Sequence, residues 1–363
     1  MIYVSISAKK LLNFTCSALM KAGVRHDIAK IVAECLVQTS LRGVDSHGVR
    51  LLPHYLEGVR KGRINPDPKF TFKKTSASTG LLGADHTFGH AAGIIAARKS
   101  VELANKAGSG HVAVYNSTHF GAAACYSMEI ARNGMIGMSF THADALVRSH
   151  GGVRPFFGTN PMSFAAPCSG EEPFCLDMAT SKTTFNKIKQ LREEGLPAPE
   201  GAGADSRGIE TTSPNEITML LPIGGHKGYG LGMMVEILCS MLTGMPYGPH
   251  ITNMFKAPMS KKRFLAHFII AIKIDCFQDK EIFKKRLSCM MRELRKEPAL
   301  KNGVPVMASG DPEKNAEKER AVSGIPLTLS EFEGLVRAGR HYGVELDTAE
   351  SAAIRYPKKK DRK

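Results

Sequence analysis

Apolar residues recur along the first hundred positions at helical spacing, with polar residues collected between the runs. Residues 7–22 form one such stretch, opened by Ser7, whose hydroxyl suits a cap. The next stretch is clearer. Ile28, Ile31, Val32, Cys35 and Leu36 fall at i, i+3, i+4, i+7 and i+8, one face of a helix. Asp27 is placed to cap that helix, its stripe runs out near Leu41, and Gly43 supplies a stop. Helical pattern resumes through 51–61 until Pro66 and Pro68 break it. Residues 89–108 and 121–134 read as helices, and 227–244 as a long one with Leu231, Val235, Leu238 and Leu242 on its stripe. HVAVYN (111–116), MIGMSF (135–140), PMSFAAP (161–167) and FCLDMA (174–179) are short apolar runs of strand type. The Gly/Pro/Glu-rich stretch 195–215 reads as a long loop. Strands and helices mix without strict β–α–β alternation and without an internal repeat. The expected class is therefore α/β in the mixed, α+β sense.

Composition narrows this only a little. With 363 residues, 43% hydrophobic and 23% charged, the chain is long enough for one large domain or two ordinary ones. No apolar run approaches about 18 residues, so no membrane partner is expected. The opening MIYVSISAKKLLNF has a lysine pair inside its apolar stretch and no small-residue cleavage site, unlike a secretion signal. The eight cysteines are scattered and form no C-x-x-C pair. That pattern argues against a zinc site, leaves no metal expected, and fits a reduced, cytoplasmic setting.

Charge adds a competing possibility. The formal net charge is +15, and residues 256–301 hold 13 lysines and arginines against 5 acids. The tail RYPKKKDRK (355–363) holds six against one. Such runs are ordinarily solvated faces, and the functional alternative is a polyanion-binding patch. No helix-turn-helix, zinc-finger or RNA-recognition pattern accompanies them. With 7% aromatics and no Trp there is little to stack on bases, so no nucleic-acid partner is expected.

The candidate chemistry lies in glycine-bounded polar stretches. A dinucleotide fingerprint is missing: GAGADS (201–206) has two of the three glycines and sits in a loop. GGHKGYG (224–230) lacks a Walker spacing. Yet its glycines, Lys227 and the helix that follows suit an anion, against the plainer reading of a tight turn. GVDSHGVRLLPHY (43–55) places His47 beside Ser46 and Asp45, which could orient its imidazole. Arg50, three residues on, has a fork that fits a carboxylate, and His54 and Tyr55 could close a small polar pocket. STHFGAAACY (117–126) sets His119 after a strand and before a helix. GGVRPFFGTNP (151–161) presents Thr159 and Asn160, and DMATS (177–181) ends a strand with Asp177, suited to ribose hydroxyls.

Together RGVDSHGV (42–49), HFGAA (119–123), GTNP (158–161), DMATS (177–181), PIGGHKGYGL (222–231) and GDPE (310–313) resemble the malate/L-lactate dehydrogenase family distinct from the Rossmann enzymes of similar name. Ureidoglycolate, sulfolactate, 2,3-diketogulonate and piperidine-2-carboxylate enzymes are its relatives. The resemblance runs from about residue 10 to 330. It implies a non-Rossmann, sulfolactate-dehydrogenase-like fold: a central mixed sheet flanked by helices, plus a helical domain. It further implies a helical substrate and dimerisation domain over 1–75 and 315–363, and a coenzyme domain over 76–314. The implied activity is hydride transfer between NAD, or NADP, and a small 2-hydroxy or 2-oxo acid, in a cytoplasmic homodimer with its site near the subunit interface. Ureidoglycolate oxidation and cyclic imine-acid reduction are the alternatives within the class, and a catalytically silent member the alternative outside it. On this resemblance His47 is the general acid/base, with Ser46 in relay and His119 the competing proton carrier. Arg50, Tyr55 and Thr159 meet a small carboxylic acid substrate. Phe120, Gly121, Ala122, Ala123, Asp177, Met178, Ala179, Lys227, Gly228, Gly310, Asp311 and Pro312 line the coenzyme. The chain departs from the family pattern at APEGAGAD (198–205), where a Trp is gone, at TTSP (211–214), at Asn186 and at Ser309. These departures fall mostly in 182–215 and bear on substrate choice.

Overall fold

A computed structural model describes residues 2–301, 303–347 and 352–355. Apart from Arg355 itself, the basic tail therefore lies outside the described residues. The chain divides into two compact units: Met1–Asp67 with Cys289–Lys363, and Pro68–Ser288. Among the described residues no helix is long and apolar enough to cross a membrane.

The first unit is built on helices Ala8–Lys21, His26–Leu41, Leu52–Arg60, Asp311–Ser323 and Leu329–His341. A three-stranded antiparallel sheet joins them, in the order Ile325–Thr328, Ile2–Ile6, Ala352–Arg355. Ser7 caps the first helix by accepting from the Lys10 backbone N–H at 3.4 Å. Asp27 is not the cap of the second, contrary to the sequence expectation. Arg25 occupies that position, and its guanidinium draws the Asp27 carboxylate sideways at 2.7 and 3.1 Å. Ile28, Val32, Cys35 and Leu36 are buried as their spacing requires.

The second unit centres on a seven-stranded sheet in the order Thr71–Lys74, Thr79–Gly83, Ser109–Ser117, Leu265–Ile272, Ile136–Thr141, Met162–Ala166, Phe174–Met178. Only Thr79–Gly83 and Ser109–Ser117 run parallel; the other neighbours are antiparallel. All four apolar runs read from sequence are strands of this mixed sheet. Alternation sends successive side chains to opposite faces. Gly110 thus lies against the backbone of helix Gly89–Ala107, where a Cβ would sit 1.9 Å from the Ser100 carbonyl oxygen. Ala113, three residues on, packs on the other face with Phe140, Phe268, Val235 and Cys239.

Val235 belongs to the helix His226–Glu236, whose stripe differs from the expected one. Leu231 and Leu242 are exposed, and the buried positions are Gly228, Gly232, Val235, Glu236, Cys239 and Ser240. The buried positions follow one another at three- and four-residue steps, and the small residues among them let the helix lie close on that side; Ile237–Met241 at its end forms a π turn. The 195–215 stretch is more than a loop. Its two short strands, Gly203–Ala204 and Glu210–Thr211, edge a five-stranded sheet over a core of Val147, Ile188, Leu191, Ala198, Ile217 and Leu220.

The turn that starts His226–Glu236 makes a sharp prediction. A Cβ at Gly228 would lie 1.6 Å from the Ile223 carbonyl oxygen, whereas one at Gly230 meets nothing within 4 Å. Gly228→Ala is expected to destabilise by about 3 kcal/mol. Gly230→Ala should be neutral or stabilising by up to about 1 kcal/mol. Urea unfolding of the two variants checks the contrast; equal costs would mean the turn opens freely.

Candidate active site

Six sequence motifs gather into two groups, one in each unit. In the first unit, RGVDSHGV leaves the end of helix His26–Leu41 and folds as two short 3-10 turns, Asp45–His47 and Val49–Leu51. Gly48 is required there, since a Cβ would collide with Ser40 Oγ at 2.0 Å, while that oxygen accepts from the Val49 backbone N–H at 3.0 Å. Ser46 Oγ and His47 Nδ1 are hydrogen-bonded at 2.8 Å. Asp45 plays no part in orienting the imidazole. Its carboxylate is held at both oxygens by Arg320, at 2.6 and 2.9 Å. Arg42 reaches Glu317 at 3.3 Å, and Arg50 Nη1 donates to Glu331 Oε1 at 3.1 Å. Arg50 is only partly exposed, and among the described residues its Nε and Nη2 make no hydrogen bond. The GDPE motif opens the helix that carries Glu317 and Arg320, so these two motifs are neighbours.

Two expected contributors of this unit, Tyr55 and Asp311, are engaged elsewhere. Tyr55 is buried in the core at 1% exposure, edge-on to His54. Asp311 is nearly buried, gripped by Arg295 at 2.7 and 2.8 Å and by the Ala308 N–H, and this pairing holds its carboxyl below the usual range. Gly310 adopts a left-handed cap at φ 92° and Pro312 sits in the first helical turn. That turn therefore offers backbone rather than charge.

In the second unit HFGAA, GTNP, DMATS and PIGGHKGYGL are stitched together. Asp177 is exposed and its Oδ2 accepts from the Ala124 backbone N–H at 3.0 Å, capping helix Ala124–Arg132. The Thr159 carbonyl accepts from Thr180 N–H at 2.8 Å, and the Thr180 carbonyl from Ile223 N–H at 2.9 Å. Ala122 and Ala123 are buried, while Met178, Ala179 and Thr159 are half-buried and Lys227 is exposed. Gly224 and Gly225 hold φ 60° and 62° with open space beside them. His119 is half-buried after strand Ser109–Ser117. Phe120 is fully buried between Tyr126 and His267, ring centroids 4.6 and 4.5 Å away, so its side chain serves the core.

Sequence reading passed over the acids that hold these groups. Glu236 is 2% exposed and takes three donors: His142 Nδ1 at 3.2 Å, Asn160 Nδ2 at 2.7 Å and the Gly248 N–H at 2.9 Å. Asn160 also donates to the Gly232 carbonyl and accepts from Ala143 N–H, in a left-handed backbone at φ 33°. A lone Glu inside an apolar helix, flanked by Val235 and Ile237, was the available signal.

Chemically, the first group sets an imidazole on the same short segment as a guanidinium with open donors. Burial, and then the Arg50 charge, lower the His47 pKa from 6.5 to about 4, so the ring is neutral at pH 7 and able to accept a proton. Because the pKa is depressed, this imidazole protonates only as the pH falls towards 4, after an unfolded one has done so at about 6.5. NMR titration of the His47 ring is expected to show a midpoint below 5, with only a partial rise in Arg50→Met because burial, the larger cause, remains. A midpoint near 6.5 in the wild type would remove the argument.

The description "Malate/L-lactate dehydrogenase" belongs to the family model that matches residues 6–336. Malate dehydrogenase from Pyrococcus abyssi is 37% identical over 353 residues, 94% of this chain and 96% of that protein. Ureidoglycolate dehydrogenase (NAD(+)) from Escherichia coli is 32% identical over 333 residues, 92% and 95% of the two chains. Relatives' names specify NAD(+) in some cases and NADP(+) in others. The solved sulfolactate dehydrogenase of Methanocaldococcus jannaschii superposes with a TM-score of 0.88 at 29% identity, over 95% of this chain and 98% of that one. The expected fold is thus the observed one, and the chain belongs to the malate/L-lactate dehydrogenase family.

Proposed function

We propose that this NAD(P)-dependent dehydrogenase interconverts a small 2-hydroxy acid and its 2-oxo acid, of malate or lactate type. The observation that carries the reading is the Ser46–His47 pair, with a neutral imidazole three residues from a guanidinium that has donors to spare. In the oxidation direction the substrate carboxylate lies on the open Nε–Nη2 edge of Arg50. The hydroxyl proton passes to the His47 ring nitrogen that does not face Ser46. Reduction runs the same proton back. Ser46 holds the ring by Nδ1. His119 is the competing carrier.

The residues of the Pro68–Ser288 unit fit a dinucleotide. The open glycines Gly224 and Gly225 ahead of Lys227 suit its phosphates, and the exposed Asp177 carboxylate suits ribose hydroxyls. Gly121–Ala123, Met178 and Ala179 complete the lining by backbone and small side chains. When bound, the nicotinamide supplies or accepts the hydride at C4. The exposed Leu231, Met233, Met234, Ile237, Met241 and Leu242 of one helical stretch support a homodimer, since such a row is costly in water.

The test is oxidation of NADH and NADPH in the presence of pyruvate, oxaloacetate, a sulfonated 2-oxo acid and a cyclic imine acid. Turnover of pyruvate or oxaloacetate is expected with one or both coenzymes. Turnover of the imine acid alone, or of none of the four, would sink the reading.

A further inference from the structure

The Arg50 guanidinium is not alone in its unit. Glu331 takes its Nη1 at 3.1 Å through Oε1, and the other carboxylate oxygen is fixed by the Thr328 backbone N–H at 3.0 Å. The Glu331 N–H in turn donates to Thr328 Oγ1 at 3.3 Å, closing a capping box at the start of helix Leu329–His341. Both oxygens of this acid are therefore assigned: one to the helix end, one to Arg50. The side chains are about a quarter exposed, 29% for Arg50 and 24% for Glu331. An ordinary surface ion pair would leave an arginine free to turn. This one is built on a carboxylate already held at its other oxygen.

We propose that Glu331 is a positioning residue for substrate binding: it fixes the Arg50 fork so that the Nε–Nη2 edge meets the substrate carboxylate. The inference rests on the reading of Arg50 as the carboxylate receptor. A guanidinium has five N–H donors in a rigid plane. Engaging Nη1 from one side sets the plane and leaves the two parallel donors of the opposite edge, the pair that a carboxylate takes best. Without Glu331 the side chain regains its rotamers, and binding the acid must first order it.

Steady-state reduction by the full-length protein, with NADH or NADPH and whichever of pyruvate and oxaloacetate is turned over faster, tests this. Glu331→Ala is expected to raise the KM of the 2-oxo acid by about tenfold, the scale of one lost charge-assisted hydrogen bond. The KM of the coenzyme should stay unchanged. Thr328→Ala removes the cap hydroxyl but leaves the Glu331–Arg50 bond in place. It should lower the melting temperature without moving the KM of the acid. Arg50→Met should raise that KM by more than Glu331→Ala, and the double variant should match Arg50→Met alone. If Arg50→Met raises KM and Glu331→Ala does not, Glu331 has no positioning role. If Thr328→Ala raises KM as much as Glu331→Ala, the effect is that of the helix end. If Arg50→Met leaves KM unchanged, or neither acid is reduced, the reading beneath the inference fails and takes it down.

Discussion

Replacing His47 by Ala is expected to lower turnover by about 10²–10⁴, the range of a positioned acid–base group. The KM of the coenzyme should be little altered. The expectation follows from the state of the ring. Its Nδ1 is tied to Ser46 Oγ at 2.8 Å, and burial beside Arg50 keeps it neutral at pH 7 with a pKa of about 4. A neutral base of this kind serves hydroxy-acid oxidation across the neutral range. The acidic limb of kcat/KM for oxidation should therefore lie well below pH 6.5, and only for the protein that retains His47. For His119→Ala a smaller loss is expected, since on the proposed reading His47 carries the proton. The measurement is the pH profile of both variants beside the wild type. A loss of about 10² or more in His119→Ala, with His47→Ala near normal, would exchange the two roles.

The motifs were legible because each answers a local need that residue type alone can signal. Gly48 cannot carry a Cβ beside Ser40, nor Gly228 beside Ile223, so glycine had to stand at both places. The four strand cores were equally plain as apolar runs bounded by turn residues. Sequence did not disclose what long-range pairing does to a residue once the chain folds. Asp45 reads as a partner for its neighbour His47, yet Arg320, 275 positions away, takes it. Phe120 stands within a motif and Tyr55 shortly after one, and both turn inward to the core. The packed side of the 227–244 helix is taken by Gly228, Gly232 and Ser240 rather than by Leu231 and Leu242, and apolar spacing does not announce a face that packs by small residues. The basic excess of 256–301 is partly spent inside the fold. Arg263 is buried against Asp144, and Arg295 holds Asp311.

The second large effect is expected at Glu236. It is 2% exposed and receives donors from three separate segments: His142, Asn160 and Gly248. His142 Nε2 accepts from the Ala266 N–H at 2.8 Å, so its proton sits on Nδ1 and points at Glu236. All three neighbours are therefore donors, and only an acceptor with several lone pairs satisfies them together. Glu236→Ala removes that acceptor and strands three N–H groups away from water, at a cost of about 3–5 kcal/mol. Glu236→Gln keeps the shape but turns an N–H towards a donor, so it should cost less than Ala and still be plainly destabilising. The GTNP turn should loosen with it, because Asn160 is held in a left-handed backbone by these bonds. Urea unfolding should therefore rank wild type, Gln and Ala in descending order. If Gln proves as stable as the wild type, water or a rearranged His142 must take up the lost acceptor, and the Thr159 loop stands without Glu236.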